Sequence, residues 1–345
     1  MGITSASIAQ YYSLAHSYLG PVLPPFAGSA LSLLVAFVIF AILLSILVMG
    51  FSYMFGWVER KALSRMQSRH GPTYVGPWGL LQNMADVVKL LAKETILPDA
   101  ADKPLFQMIL PLVYATFMLM LAFTPLNSSF IGVNTSLGLI IVFLLLSFVP
   151  LLLFLAGWTS GNKYGSISAQ RSVVMLLSYE IPLLLVIVAV AAASGSYSFS
   201  AIVAAQSHIW YAVLMPIGFV LFFIMMLAEL ERPPFDLREA DNELIAGWLT
   251  DVSPPYYALT LFLDYTRMFF GTLLISLLFL GGWNGPVLPP FIWLMVKVVV
   301  LTLIIVAVRA TTVRMRLDRL LHFGWVYMLP LSVINLLVAF ALFVK

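Results

Sequence analysis

Long apolar runs separated by charged loops dominate the chain. A helix needs about 20 mostly apolar residues to cross the hydrocarbon core of a bilayer. Eight segments meet that length: residues 29–57, 105–125, 137–157, 172–193, 211–230, 255–281, 289–309 and 325–344. The first and sixth exceed it, which leaves room for tilt or for an extension beyond the hydrocarbon. No repeat, low-complexity tract or linker divides the pattern. It predicts an all-α integral membrane protein, one polytopic domain over 1–345, with about eight transmembrane helices. Residues 1–28 hold no Lys or Arg, so no signal peptide is expected.

Composition agrees with the pattern. The 345 residues are 62% hydrophobic and 10% charged, with a mean hydropathy of +1.02. Soluble domains run at about 45–50% apolar and about 25% charged. A soluble enzyme, a disordered chain and a disulfide scaffold are excluded. The cysteine count is 0, so the chain offers no disulfide framework, no thiolate nucleophile and no cysteine-held zinc or iron–sulfur cluster. His16, His70, His208 and His322 form no ligand-spaced pair. Any electron transfer has to occur on a partner or on a diffusible molecule.

The charges lie on one side. Fifteen of the 18 basic residues fall in loops 58–104, 158–171, 231–254 and 310–324 or at their edges. The positive-inside rule makes that side cytoplasmic and puts both termini outside. Most acids share it, so the face carries both signs densely, as docking to a soluble partner requires. Simple loop solubility is the blander account.

Three segments carry candidate chemistry. In the first loop, Arg60, Lys61, Arg65 and Arg69 recur at helical spacing around Leu63 and Met66, which predicts a short amphipathic helix at the interface. Gly71-Pro72 and Gly76-Pro77 break it, and Leu80–Lys93 reads as a second helix with an apolar stripe of Leu81, Met84, Val88 and Leu91. In the second segment, Glu180 lies inside the fourth span beside Pro182. A carboxylate there is protonated, paired or turned to water, so proton relay and internal ion pair both remain open. In the third, seven acids fall within 228–253 around Pro233-Pro234. A helix over Leu237–Trp248 would put Glu239 and Glu243 on one face and Asp241 elsewhere. Clustered carboxylates raise one another's pKa and titrate in coupled steps. Asp264 and Arg267, three apart in the sixth span, are placed to pair. Lys297, in the seventh, either snorkels or pairs. No EF-hand or zinc spacing occurs.

Together these segments resemble the H subunit of the complex I family, the proton-translocating NADH-quinone oxidoreductases. The first loop is similar to the family's ERKxxxRxQxRxGPxxVGPxGLLQxxADxxKLxxKE run. Its SNxKY…R…SYE pattern is matched by Ser160, Asn162, Lys163, Tyr164, Arg171, Ser178, Tyr179 and Glu180. Its AExxRxPFDLxEAExEL pattern is matched by Ala228, Glu229, Arg232, Pro234–Leu237, Glu239, Ala240, Glu243 and Leu244. The likeness covers about 57–330. Asp241, Asp251 and Asp264 stand where the family usually has Glu, and Arg238 and Val313 where it has Pro.

The resemblance implies a membrane subunit that joins the peripheral redox arm to the membrane arm and forms the quinone entrance and chamber. Arg60, Lys61, Arg65, Arg69 and Asp86 are expected at the entrance or docking wall. Glu180, Glu229, Glu239, Asp241, Glu243 and Asp264 are expected on the proton-coupling path. No residue is expected to be catalytic by itself and none to bind a metal. Quinone is the implied substrate, with iron–sulfur clusters and flavin on partner subunits. Those partners are the peripheral-arm subunits with the terminal cluster and the quinone site, and membrane-arm subunits of antiporter type. The lipid bilayer, not nucleic acid, is the other contact, and the plasma membrane is the expected location. Two other readings remain: the ion-translocating membrane anchor of an energy-converting hydrogenase, and a stand-alone secondary transporter.

Overall fold

The structure, a computed structural model, describes residues 13, 17, 25–127, 131–239, 241–286 and 288–343, without the side chains of 25–30, 33, 241 and 242. In chain order its helices are α1 (Pro25–Met66), α2 (Gln82–Leu91), α3 (Lys103–Phe123), α4 (Gly138–Thr159), α5 (Lys163–Ser194), α6 (Phe199–Ala205), α7 (Tyr211–Leu214), α8 (Pro216–Glu229), α9 (Asp241–Leu244), α10 (Pro254–Phe279), α11 (Pro290–Thr311), α12 (Leu317–His322) and α13 (Leu329–Phe343). No strand occurs among the described residues.

Among the described residues, seven helices are long and apolar enough to cross a membrane: α1, α3, α4, α5, α10, α11 and the run from α12 through α13. The fifth predicted span, 211–230, is the exception. Pro216 has no backbone donor and disfavours helical geometry at the residue before it. Met215 accordingly leaves the helical region (φ −130°, ψ 64°), and the segment divides into α7 and α8. With 14 residues, α8 is about 21 Å long, against a hydrocarbon core of about 30 Å.

Helix α1 differs from expectation at its other end. No Gly or Pro interrupts residues 57–66, and the helix continues through Arg60, Lys61 and Arg65 to Met66. A separate amphipathic helix over that stretch is not formed. The amphipathic element of the loop is α2, whose Met84, Val88 and Leu91 are exposed. Helix α5 begins nine residues before the predicted span. There the Asn162 side-chain oxygen accepts the Tyr164 N–H at 3.1 Å, satisfying a first-turn donor. It then runs unbroken through Pro182. Between α12 and α13 lies a π-helical turn, Phe323–Met328. Its Gly324 abuts α5 so closely that a Cβ would stand 2.2 Å from the Ser178 carbonyl oxygen.

Helix α10 is the most enclosed element, packed against α1, α3 and α11. Helices in lipid gain little from the hydrophobic effect, and close packing with polar contacts holds them together. Accordingly α10 buries Thr266, Gly271, Thr272 and Ser276. The Ser52 and Thr266 hydroxyls hydrogen-bond at 2.7 Å between α1 and α10, and the Phe51 and Phe269 rings stack at 4.4 Å beside them.

Lys297 of α11 neither snorkels nor finds a carboxylate. Its ammonium donates to the carbonyl oxygens of Leu280, Gly282 and Asn284 at 2.6, 2.7 and 2.9 Å. The Trp210 and Trp293 rings flank it at 5.2 and 5.7 Å. The last carbonyls of a helix lack intrahelical partners and carry its negative end, so Lys297 caps α10 from a neighbouring helix.

Candidate functional site

An apolar cavity of about 500 Å³ opens between α1, α2 and α10. Met49, Met84, Val88, Leu91, Leu261 and Phe262 form its oily wall. Its charged groups form a pair. The Arg60 Nη1–H donates to Asp86 Oδ2 at 2.6 Å, and the Gln82 amide donates to Asp86 Oδ1 at 3.0 Å. Tyr265 of α10 lines the same wall.

Glycine at 56 makes this cavity wall possible. A Cβ there would lie 2.6 Å from Asn83 Nδ2 and 2.8 Å from the Tyr265 ring. With none, α2 seats its buried Asn83 against α1, where the Asn83 amide donates to the Tyr53 carbonyl at 3.0 Å. The Tyr53 hydroxyl in turn donates to the Leu80 carbonyl oxygen.

Behind the cavity lies a buried ion network. Glu59 of α1 is almost fully enclosed and takes Arg232 at 3.3 Å and Arg309 of α11. One residue C-terminal to α8, Leu230 ends the helix and Glu231 adopts a left-handed conformation (φ 53°). The Arg232 N–H bonds to the Leu227 carbonyl and the Glu231 N–H to the Ala228 carbonyl. That is a Schellman cap, in which the left-handed position is normally glycine. The turn carries the Glu231 carboxylate to Arg267 of α10 at 2.8 Å and to Arg238. The Arg267 Nη2–H also donates to the Glu229 carbonyl at 2.7 Å. Arg267 therefore pairs with Glu231 rather than with Asp264.

Glu229 closes α8 in the protein interior, and its neighbours are Arg267, Tyr179, Arg238 and Glu180. Its Oε1 has no hydrogen-bond partner among the described residues. Glu180 is half-buried and makes no ion pair with the described residues.

The expected helix over Leu237–Trp248 is not formed. Helix α9 covers only Asp241–Leu244, Ile245 turns left-handed (φ 64°), and a 3-10 turn follows at Gly247–Leu249. Tertiary hydrogen bonds win over local propensity: Ser168 Oγ donates to the Arg238 carbonyl at 2.8 Å, and the Met315 N–H to the Pro234 carbonyl at 2.9 Å. Glu239 and Glu243 consequently part. Glu239 turns inward, and burial together with the Asp264 and Asp236 carboxylates pushes its pKa up to about 7. Glu243 is half-exposed between Arg171 at 2.7 Å and Arg314 at 2.9 Å. The Arg171 hydrogen bond leads in holding its pKa below the ordinary carboxylate value. The backbone of Asp241 opens α9, and its side chain lies outside the described residues.

Of the five entrance candidates, Arg60 and Asp86 meet at the apolar cavity. Lys61 is half-buried near Gly71, and Arg65 is exposed. Arg69 lines a separate polar groove of about 690 Å³ with Asp236, Glu243, Arg309, Arg314 and Arg316. No group of three or more His, Asp or Glu side chains able to hold a metal occurs among the described residues.

A family model described as NADH dehydrogenase matches residues 37–340. The H subunit of the NADH-quinone oxidoreductase of Dehalococcoides mccartyi is 39% identical over 285 residues, 83% of this chain and 80% of that protein. The H subunit from Carboxydothermus hydrogenoformans is 35% identical over 286 residues, 82% of each. The H subunit from Bacillus cytotoxicus is 38% identical over 302 residues, 86% of this chain and 90% of that one. The chain belongs to the family of NADH-quinone oxidoreductase H subunits.

In this H-subunit family member, the structure places three residues in the ion network to which sequence reasoning assigns no site role: Glu59 and Glu231 read as loop acids, and Arg232 as a topology charge and a matched pattern position. Tyr265, which lines the cavity, is likewise not singled out, although it lies between Asp264 and Arg267 on one helix.

Proposed function

We propose that the chain is the membrane subunit of a complex I-type quinone oxidoreductase and has no catalytic activity alone. The reading adds that it frames the quinone entrance at the junction with the peripheral arm and couples quinone reduction to proton translocation. The observation that carries it is the apolar cavity, which ends on the Arg60–Asp86 pair with the Glu59, Glu229 and Glu239 carboxylates behind. A prenyl tail needs an oily slot, and a headgroup that takes up two protons on reduction needs titratable groups nearby. Reduction there perturbs neighbouring carboxylates through charge alone.

In this reading Arg60 and Asp86 orient the headgroup, and Arg65 and Arg69 meet the peripheral arm. Lys61 belongs with them on the docking wall. Glu180, Glu229, Glu239, Asp241, Glu243 and Asp264 carry charge towards antiporter-like neighbours. Redox cofactors, the iron–sulfur clusters and flavin, reside on partner subunits. The single polytopic domain sits in the plasma membrane with its charged loops cytoplasmic and both termini outside, an arrangement in which α7 and α8 together complete an eighth crossing.

Filling the cavity tests the assignment. Val88→Trp is expected to raise KM for a long-tailed quinone about tenfold, equivalent to about 1.4 kcal/mol of binding. Electron entry from donor to an artificial acceptor should be unchanged. Unaltered quinone kinetics would overturn the entrance. An isolated assembly with a nickel–iron subunit and no quinone reduction would overturn the whole reading in favour of a hydrogenase anchor.

A further inference from the structure

Arg238 stands where the family pattern has proline, and the structure gives this departure a use. A proline at 238 would bring no charge. Arg238 brings a guanidinium that is 1% exposed. An isolated cation in such a place is strongly destabilising unless it is paired. Its counter-ion, Glu231, occupies a position that the same pattern leaves open.

Glu231 itself holds an unfavourable backbone. A non-glycine residue in the left-handed region is strained, because its Cβ crowds the backbone. The strain persists because the turn delivers one carboxylate to two arginines, Arg238 and Arg267. Arg238 Nη2 is in ion-pair contact with Glu231, yet none of its Nε, Nη1 and Nη2 makes a hydrogen bond among the described residues, so Glu231 does not exhaust the guanidinium.

The charge count follows. Arg238 and Arg267 contribute two positive charges, and Glu231 removes one. Glu229, two residues before Glu231 and a neighbour of both arginines, neutralises the cluster when it is ionised. The remaining groups facing this cluster are Tyr179 and Glu180 of α5 and Glu239 of the loop. Burial and the Arg267 charge pull the Arg238 pKa down to about 9, which leaves it cationic at neutral pH. With proline at 238, the Arg267–Glu231 pair would already be neutral, and an ionised Glu229 would be an uncompensated buried anion.

We propose that Arg238, clamped by Glu231, is a positioning residue that keeps Glu229 in its proton-accepting carboxylate form and so sets the acidic limit of coupled quinone reduction. The role rests on the proposed function, since it presumes that Glu229 exchanges protons during turnover. Arg238 acts through Glu229 and need not touch the quinone.

The test uses the whole complex in native membranes, reading quinone reduction and proton pumping against pH. Electron transfer from donor to an artificial acceptor is the control. Arg238→Met removes a cation and should move the acid limb of the profile to higher pH by about one unit. Glu231→Gln removes the anion and should move it to lower pH. The double variant removes both and should return the limb to within a few tenths of a unit of the parent. Arg238→Lys keeps the charge and should leave the limb in place.

Opposite shifts that cancel in the double variant support the proposal, since packing damage does not reverse sign. Shifts of the same sign, or no shift in assembled complexes, overturn it. If Arg238→Met fails to assemble, Glu231→Gln decides by its direction. Quinone reduction that persists after deletion of this chain overturns the function itself. Normal quinone reduction with an unmoved limb overturns only the role of Arg238.

Discussion

Lys297 and Arg238 are both buried cations held against α10, separated along that helix by about 20 Å, and they are neutralised in contrasting ways. Lys297 gives all three N–H donors to backbone carbonyls and sits between two indole rings. Among the described residues it makes no ion pair with an acid. Arg238 leans on one carboxylate that it shares with Arg267, and none of its three guanidinium nitrogens makes a hydrogen bond among the described residues. The first arrangement is saturated, with every donor of the ammonium matched to a carbonyl. The second is a balance of charges that a single proton on Glu229 tips. A satisfied buried cation fixes a helix end, whereas a partly satisfied one beside carboxylates supports switching.

That contrast can be broken by substitution, and the largest effect is expected at Glu229. Glu229→Gln should lower coupled quinone reduction at least about tenfold, the scale of a lost proton-transfer group. The protein should still fold, because the Arg267 bond goes to the Glu229 backbone carbonyl. Steady-state quinone reduction set against artificial-acceptor reduction measures it; parent-like turnover would remove Glu229 from the path.

Lys297→Met should do the reverse. It leaves the Leu280 carbonyl at the end of α10 and the Gly282 and Asn284 carbonyls of the following loop without their donor, and should cost about 3 kcal/mol of stability. Thermal unfolding of the complex in detergent reads the loss, and the acid limb of turnover should stay in place. A shifted limb would erase the distinction between the two cations.

Glu239 offers a smaller effect with a definite sign. Its folded pKa of about 7 lies above the ordinary carboxylate value. The folded state therefore holds the proton more tightly, and its stability falls as pH rises from about 4.5 to about 7. Glu239→Gln should remove that slope and leave the protein more stable than the parent at pH 8. Melting curves at several pH values test it, and an unchanged slope would show that the group is solvated.

The smallest effect is expected at Glu243. It is half-exposed between two arginines, and surface pairs contribute about 0–1 kcal/mol. Glu243→Gln should leave the melting temperature nearly unchanged, and a large drop would make this pair a structural tie.

Several of these features could be read along the chain. The apolar runs marked the long helices to within a few residues for α3, α4, α10 and α11, because a run of about 20 apolar residues in lipid has to satisfy its backbone hydrogen bonds within itself. The first-loop run pointed to Arg60 and Asp86, which do meet. Other features could not be read. The partner of Arg267 looked local, at Asp264, until the left-handed turn at Glu231 supplied a better carboxylate. The pairing of Glu239 with Glu243 assumed a helix that long-range hydrogen bonds from Ser168 and Met315 prevent.

By itself, then, the sequence determined the all-helical membrane architecture and which charged residues fall in the loops between its apolar runs. Those follow from transfer free energies, which are sums over nearby residues. Only the tertiary structure decided which acid meets which base, where Lys297 finds its acceptors and which side chains enclose the cavity. Those depend on groups as far apart in the chain as Glu59 and Arg309, whose attraction takes effect only once packing removes the water between them.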